Sequence, residues 1–559
     1  MLRHQWRRTC STLRGQAMFS EQSVGITGCV SPGKGFLAAT KQRWSDFIVR
    51  EVDLQGRVVR LTKPATPPTN RDGKEWLGFT LYKENVESNF AMARLAEALK
   101  VKPSAFTVAG TKDKRGVTTQ RVHAYRVHPG KLAQCMASAP FGDAIVAGNL
   151  TFEAAPLQRG ALGGNAFTVV LRDCCDCPED ELQVYLRQLQ SGFVNYFGLQ
   201  RFGSPKRYGA HLLGSALLRG DYAAVVEMIL APIDGVVDDP DVAEARAMWA
   251  RRRDARATLE LMPRRRATER HVLSGVLRHG ESSWHALDGV PQAVRSLYVH
   301  AFQSFLFNHA ASERLRLYSC EWAVAGDLVW PKEWSTEGSE ARAPTLACEE
   351  EKAVTAQMGS NMGGESGGED GSEGGREDSR EGGNASQFAV PHVVTDAEAA
   401  AGTYGIEDVL LTLPGHKALL PQHSVARKYT RLLADHGLST SAFDHPIRSL
   451  AVRGSYRSLL VRPQHLRWNL MRYDDPTIPL ALTDLDISRG LAEPEGVPSG
   501  RRLAVRLEFT LPPSSYATMC VRELTKQSSN AAHQRTLNVP SASKARASRR
   551  TRSRSFFGK

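Results

Sequence analysis

The sequence predicts an α+β protein with a helix-rich middle. Short runs of β-branched and aromatic residues are intermixed with amphipathic helical spacings, and the most apolar helical spacing falls near residue 300. The chain has 559 residues, of which 42% are apolar and 23% charged, a size that suits about two to four domains with a substantial core. It contains no run of the ~18 apolar residues that a membrane-spanning helix requires, so no membrane partner is expected.

In chain order, residues 46–52 (Asp-Phe-Ile-Val-Arg-Glu-Val) are rich enough in β-branched and aromatic side chains to form a strand, although their alternation is imperfect. Ser88 is placed to cap a helix in which Met92, Leu95, Ala96 and Leu99 follow the i, i+3, i+4, i+7 pattern, with Pro103 beyond its end. Residues 106–110 predict a short strand, 111–116 a polar loop and 117–127 a second strand. Another short strand is expected at 167–171. Leu182, Tyr185, Leu186 and Leu189 then lie on one face of a helix that Gly192 stops. Tyr298, Ala301, Phe302 and Phe305 mark a core helix.

The net charge of +13 points to a polyanionic partner, nucleic acid before a membrane surface. Its distribution is uneven. Residues 349–383 hold ten acidic side chains against three basic ones, with nine glycines between 363 and 383, a composition that cannot bury enough surface to offset its chain entropy. We expect a disordered insertion in a loop of a folded domain. Residues 544–559 carry seven basic side chains and no acidic one among serines and a threonine, which suits a nucleic-acid-binding or nuclear-address tail as well as a merely solvated one. Residues 1–20 contain Arg3, Arg7, Arg8 and Arg14, no acid, and an apolar spacing at Leu2, Trp6, Cys10 and Leu13. That pattern is similar to a mitochondrial presequence, so a mitochondrial location is expected, with the nucleus as the alternative. Nine cysteines are too few and too irregular for a disulfide framework, and Cys174, Cys175 and Cys177 lack a complementary pair for zinc. A turn before Pro178 accounts for them.

Two clusters bear chemistry. In Gly110-Thr-Lys-Asp-Lys-Arg-Gly-Val-Thr-Thr-Gln120 a single carboxylate, Asp113, stands among Lys112, Lys114 and Arg115 on a loop between two strands. The cations favour its ionised form, and an ionised carboxylate can act as nucleophile or base while the cations hold phosphates beside it. A solvated surface turn has the same composition. In Asn195-Tyr-Phe-Gly-Leu-Gln-Arg-Phe-Gly203, aromatic faces can stack on a splayed base, amides can read its edge and Arg201 can take a phosphate. An aromatic-lined turn packed into the core would look alike.

Taken together, the two clusters resemble the TruD family of pseudouridine synthases, including its eukaryotic pseudouridine synthase 7 branch. Further matches follow in order: Lys41-Gln-Arg-Trp-Ser-Asp-Phe-Ile-Val-Arg-Glu51, Tyr82-Lys-Glu-Asn85, Gly164-Asn-Ala-Phe167, Gln303-Ser-Phe-Leu-Phe-Asn308, Leu413-Pro-Gly415, Gly454-Ser-Tyr-Arg457, Leu511-Pro-Pro-Ser-Ser-Tyr-Ala-Thr518 and Arg522-Glu-Leu524. The resemblance spans residues 35–524 and leaves out both ends and the acidic stretch. It implies a mixed-sheet catalytic domain in two parts, 35–191 and 453–524, interrupted by a helix-rich TRUD insertion domain at 192–452. The implied activity is isomerisation of a uridine in RNA, tRNA first and rRNA or mRNA as alternatives, with no metal and no organic cofactor. Asp113 aligns with the catalytic aspartate, as nucleophile or as base. Lys41 aligns with a lysine near the active site, Phe197 would stack on the uracil, and Asn195 would help position it. Lys112, Lys114, Arg115 and Arg201 complete the expected substrate-binding set. The alternative is an RNA-binding assembly or chaperone factor that keeps the fold and whose main task is not catalytic.

Overall fold

The computed structural model describes residues 19–69, 73–204, 207–332, 390–530, 533, 534 and 537. Most of the basic start, the acidic stretch 349–383 and the basic tail 544–559 lie outside them. The strands of the first half are β1 (Ala39–Thr40), β2 (Phe47–Val52), β3 (Trp76–Glu84), β4 (Phe106–Val108), β5 (Val117–Tyr125), β6 (Ile145–Glu153), β7 (Gly164–Arg172) and β8 (Phe193–Val194). Those of the second half are β9 (Leu328–Val329), β10 (His392–Val393), β11 (Val409–Leu413), β12 (Ser455–Ser458), β13 (Leu460–Val461), β14 (Gln464–Tyr473) and β15 (Arg502–Leu511). Thirteen α-helices accompany them among the described residues.

The chain divides into two compact units. One comprises Ser20–Arg201, Ala311–Cys320 and Ser458–Lys559; the other comprises Met1–Phe19, Phe202–Ala310 and Glu321–Arg457. The dividing points fall at 201/202 and 457/458, so residues 192–201 stay with the first unit.

The first unit is built on a nine-stranded sheet in the order β14-β15-β7-β2-β5-β3-β6, with β1 beside β7 and β4 beside β5. β2 and β5 run parallel; the other neighbours are antiparallel, which makes the sheet mixed. Every residue of β2 is buried, and this explains its imperfect alternation: a central strand covered on both faces has no solvent side. Its two charged residues are held internally. Arg50 pairs with Asp484 at 2.8 Å, and Glu51 pairs with Lys112 at 2.7 Å. One face of the sheet packs Leu77, Phe79, Leu81, Val122 and Ala124 against Ala91 and Leu95 of the helix Ser88–Leu99. The opposite face gathers Ile48, Tyr82, Val117, Val170, Met471 and Tyr473, as the two-residue period of a strand requires.

Ser88 does not cap its helix. Glu87 does, accepting a hydrogen bond from Phe90 N at 2.8 Å, which leaves the Ser88 hydroxyl free to reach the loop at 110–116. The strand expected to run to 127 ends at Tyr125, because Arg126 turns into the left-handed region with φ 52°. The helix Glu179–Gln188 closes through a 3-10 turn at Gly192, with φ 100°, as expected. Cys174 and Cys177 are buried and Cys175 is exposed, and none is in a disulfide.

The second unit is the helix-rich middle. Its helices include Ala210–Leu218, Tyr222–Leu230, Pro240–Arg252, Ala267–His279, the long Gln292–Leu317 as far as Ala310, and Ser424–Asp435, beside a small sheet in the order β10-β9-β11-β12. Tyr298, Ala301, Phe302 and Phe305 are buried as predicted. Three of the sequence motifs meet in this unit. Gln303 donates from Nε2 to the Pro414 carbonyl at 2.7 Å, and Gly415 lies so close to Gly454 that a Cβ there would come within 2.1 Å of the Gly454 nitrogen. No described helix is long and apolar enough to cross a membrane.

Candidate active site

The loop 109–116 joins β4 to β5 and is fastened by its backbone. Gln120 Nε2 donates to the Gly110 carbonyl at 3.0 Å. The Ser88 hydroxyl accepts from Lys112 N at 3.2 Å and donates to Lys112 O at 3.3 Å. Lys83, buried in β3, donates from Nζ to the carbonyls of Val86 at 2.9 Å, Lys112 at 3.3 Å and Asp113 at 2.8 Å. Gly116 has φ 154°, and a Cβ there would stand 2.5 Å from the Phe47 carbonyl, so the turn into β5 requires glycine. The Asp113 carboxylate, in contrast, is 57% exposed. A rigid backbone therefore presents a solvent-facing carboxylate.

Lys41 meets it. Lys41 stands in the left-handed region with φ 53°, and its Nζ lies 3.5 Å from Asp113 Oδ2 and 3.5 Å from the centroid of the Phe47 ring. Arg115 donates from Nη2 to the Lys41 carbonyl at 2.9 Å and so ties the two loops together. Burial pushes Lys41 below the ordinary lysine value, while Asp113 draws it back up and Arg115 adds to the fall. Burial likewise pushes Lys83 down to about 8, opposed by Asp113 and Glu87.

Lys112 corrects an expectation. It faces inward, with its side chain 4% exposed and that of Glu51 3% exposed, and its ammonium is taken by Glu51, whose other oxygen accepts from Arg121 N at 3.0 Å. A buried, paired lysine cannot reach a phosphate. Lys114 and Arg115 are exposed on the same loop.

The 195–203 cluster forms a second part of the same unit through residue 201. β8 pairs with β13, and Asn195 continues the contact: its N donates to Leu459 O at 2.8 Å and its Nδ2 to Ser458 O at 3.2 Å. Phe197 is 1% exposed and meets the Tyr516 ring edge-on at 6.2 Å. Arg201 is also buried, its guanidinium 5.8 Å from the Phe197 ring, so it packs inside the cluster and is not placed at the surface where a phosphate would lie. Tyr516 is the N-cap of the helix Ala517–Thr525. Thr518, Val521, Arg522 and Thr525 of that helix line a small open cleft together with Thr40, Lys41 and Phe47. The helix thus meets Phe197 through its N-cap Tyr516 and shares the lining of the cleft with Lys41.

The sequence alone gives no site role to Lys83, Glu51 or Tyr516, and it offers Ser88 only as a helix cap. Lys83 had a signal, a lysine in the mostly apolar strand Trp76–Glu84. Among the described residues no group of histidine, cysteine and acidic side chains is arranged to hold a metal ion. The arrangement can deliver an oriented carboxylate with a cation beside it, at the rim of a cleft, for attack on an electrophilic carbon or for removal of a proton.

The chain is similar to known proteins along most of its length. The family model for tRNA pseudouridine synthase D (TruD) matches residues 23–365. The mouse pseudouridylate synthase 7 homolog is 30% identical over 465 residues, covering 82% of this chain and 60% of its own length. The human pseudouridylate synthase 7 homolog is 27% identical over 616 residues, covering 93% of this chain and 83% of its own. The multisubstrate pseudouridine synthase 7 of Schizosaccharomyces pombe is 31% identical over 499 residues, with 86% and 67% covered. The crystal structure of a Methanosarcina mazei protein described as tRNA pseudouridine synthase D (TruD) superposes with a TM-score of 0.59 at 20% identity, covering 91% of this chain and 98% of that one, and so shares its fold.

Proposed function

The chain belongs to the TruD family of pseudouridine synthases, whose members isomerise uridine in RNA, and we propose that in this protein Asp113 carries that reaction. The supporting observation is the pairing of the exposed Asp113 carboxylate with Lys41, which lines the cleft. The bond from C1′ to N1 breaks, the uracil turns, C5 bonds to C1′, the proton on C5 leaves and N1 takes one up. Composition is unchanged, so no co-substrate is consumed. Asp113 acts on the sugar, as nucleophile at C1′ or as base, and Lys41, 3.5 Å away, holds the carboxylate beside the cleft that it lines.

The target uridine must leave its stack to reach Asp113, at a cost of a few kcal/mol that contacts along the RNA backbone offset. Lys114 and Arg115 supply such contacts from the exposed side of the loop. Phe197 stacks on the uracil after its ring is uncovered from Tyr516, and Asn195, held at Ser458 and Leu459, fixes the turn that carries Phe197. tRNA is the first substrate to test, following the family's name, with rRNA and mRNA beside it because the fission yeast relative is named multisubstrate.

RNA carrying tritium at C5 of uridine tests the reading directly, since the label is released when C5 loses its proton. The wild-type chain should release it, and Asp113→Asn should release it at least about a hundredfold more slowly with RNA affinity preserved. Equal rates for the two would remove Asp113 from the mechanism.

A further inference from the structure

We propose that Lys83 is a positioning residue for Asp113: from inside the sheet its ammonium group holds the carbonyls of the peptides before and after the aspartate, and so sets the direction of the carboxylate. The proposal rests on the reading of Asp113 as the reacting group.

Lys83 is fully buried in β3 and shares no ion pair among the described residues. An ammonium group in that position is costly unless its donors are satisfied. Lys83 has three donors, and each has a carbonyl acceptor: Val86, Lys112 and Asp113. The carbonyls of Lys112 and Asp113 belong to the two peptide planes that flank the Asp113 Cα. Fixing both planes leaves the aspartate its side-chain torsions alone, and Lys41 constrains those from the solvent side at 3.5 Å. A methionine would fill the same space without burying a charge. What it could not do is hold these carbonyls.

The titratable and charged groups facing Lys83 are Asp113 and Lys112 on the loop and Glu87 at the head of the helix Ser88–Leu99; Asp113 and Glu87 favour the charged form, while burial and Lys112 disfavour it. Above about pH 8 Lys83 loses a proton, and with it one donor. Positioning should fail there, although the backbone bonds from Ser88 and Gln120 persist.

Single-turnover rate and RNA affinity should be measured for wild type, Lys83→Met and Asp113→Asn, with the rate followed from pH 6 to 10 in wild type and in Lys41→Arg, which keeps its charge. Lys83→Met should lower the single-turnover rate about thirtyfold or more with RNA affinity within about threefold of wild type. The wild-type rate should fall above about pH 8, and the same limb should persist in Lys41→Arg. A Lys83→Met rate within threefold of wild type, or a rate and an affinity that fall together, overturns the proposal. Should Lys83→Met not fold, a wild-type profile that stays flat to pH 10, or a limb that vanishes in Lys41→Arg, overturns it equally. If Asp113→Asn keeps the wild-type rate, it is the reading of Asp113 that fails; if Asp113→Asn is inactive and Lys83→Met is not impaired, only the role of Lys83 is lost.

Discussion

Lys112→Met separates two uses of a lysine in the Asp113 loop. In the structure the Lys112 ammonium and the Glu51 carboxylate lie 2.7 Å apart with side chains 4% and 3% exposed. Removing the lysine strands a buried carboxylate on one remaining hydrogen bond, from Arg121 N. Breaking a buried pair from one side costs about 3–5 kcal/mol. At roughly 2 °C of melting temperature per kcal/mol for a large domain, the variant should melt about 6 °C or more below wild type. The double change Glu51→Leu with Lys112→Met should recover much of that, since an apolar pair leaves no stranded charge. RNA affinity measured against salt gives the second readout. Lys112 touches no phosphate in this arrangement, so the slope of log K against log salt should be unchanged. Lys114→Ala should do the reverse, melting as wild type and reducing the slope by about 0.7 to 0.9. A Lys112→Met chain that melts normally and loses that increment of slope would refute the internal pairing and restore the phosphate role.

Arg172→Lys should also destabilise. The Arg172 guanidinium grips Asp46 through Nε and Nη2 at 2.8–3.0 Å and donates to Ile478 O at 2.9 Å, all in the interior, and a lysine cannot reproduce the two-armed contact. A loss of about 3 kcal/mol or more in urea unfolding is expected. His211 should make the helical unit acid-sensitive. Its ring stacks on Phe305 at 4.9 Å, and burial, with His436 and His309 nearby, pushes it down to about 3. The unfolded chain takes up the proton near 6.5 and the folded chain does not, so stability falls as pH drops below 6.5, by about 2 kcal/mol at pH 5. His211→Phe should flatten that slope in unfolding curves taken at pH 5 and pH 7; an unchanged slope would mean that the histidine protonates in place.

Much of this was legible in the sequence, for reasons that differ by residue. The helix Ser88–Leu99 and the core helix around Phe302 announce themselves through spacing, because one buried face leaves a period. Asp113 stood out as the lone carboxylate among cations, and a turn that must display a charge is rich in polar residues whatever it does. Lys112 and Arg201 were misjudged for one cause: composition reports that a cation is present, and its partner decides which way it faces. Glu51 lies 61 positions earlier and the Phe197 ring stands next to Arg201, and neither pairing has a fixed spacing. Lys83 was hidden more deeply, because its acceptors are backbone carbonyls, which every residue carries. Ser88 has the composition of a cap, but the neighbouring Glu87 competes for that place and wins.

The backbone fastening of the Asp113 loop separates chemistry from folding. The carboxylate proposed to react contributes one exposed contact to Lys41, worth about 0–1 kcal/mol, while the bonds that shape the loop come from Lys83, Ser88 and Gln120. A chain carrying Asp113→Asn should therefore be an inert replica, as well folded as the parent and with the same cleft and the same exposed cations. Such a replica can be used as a reagent: cross-linked to cellular RNA, it holds the molecules that the active protein would modify and release.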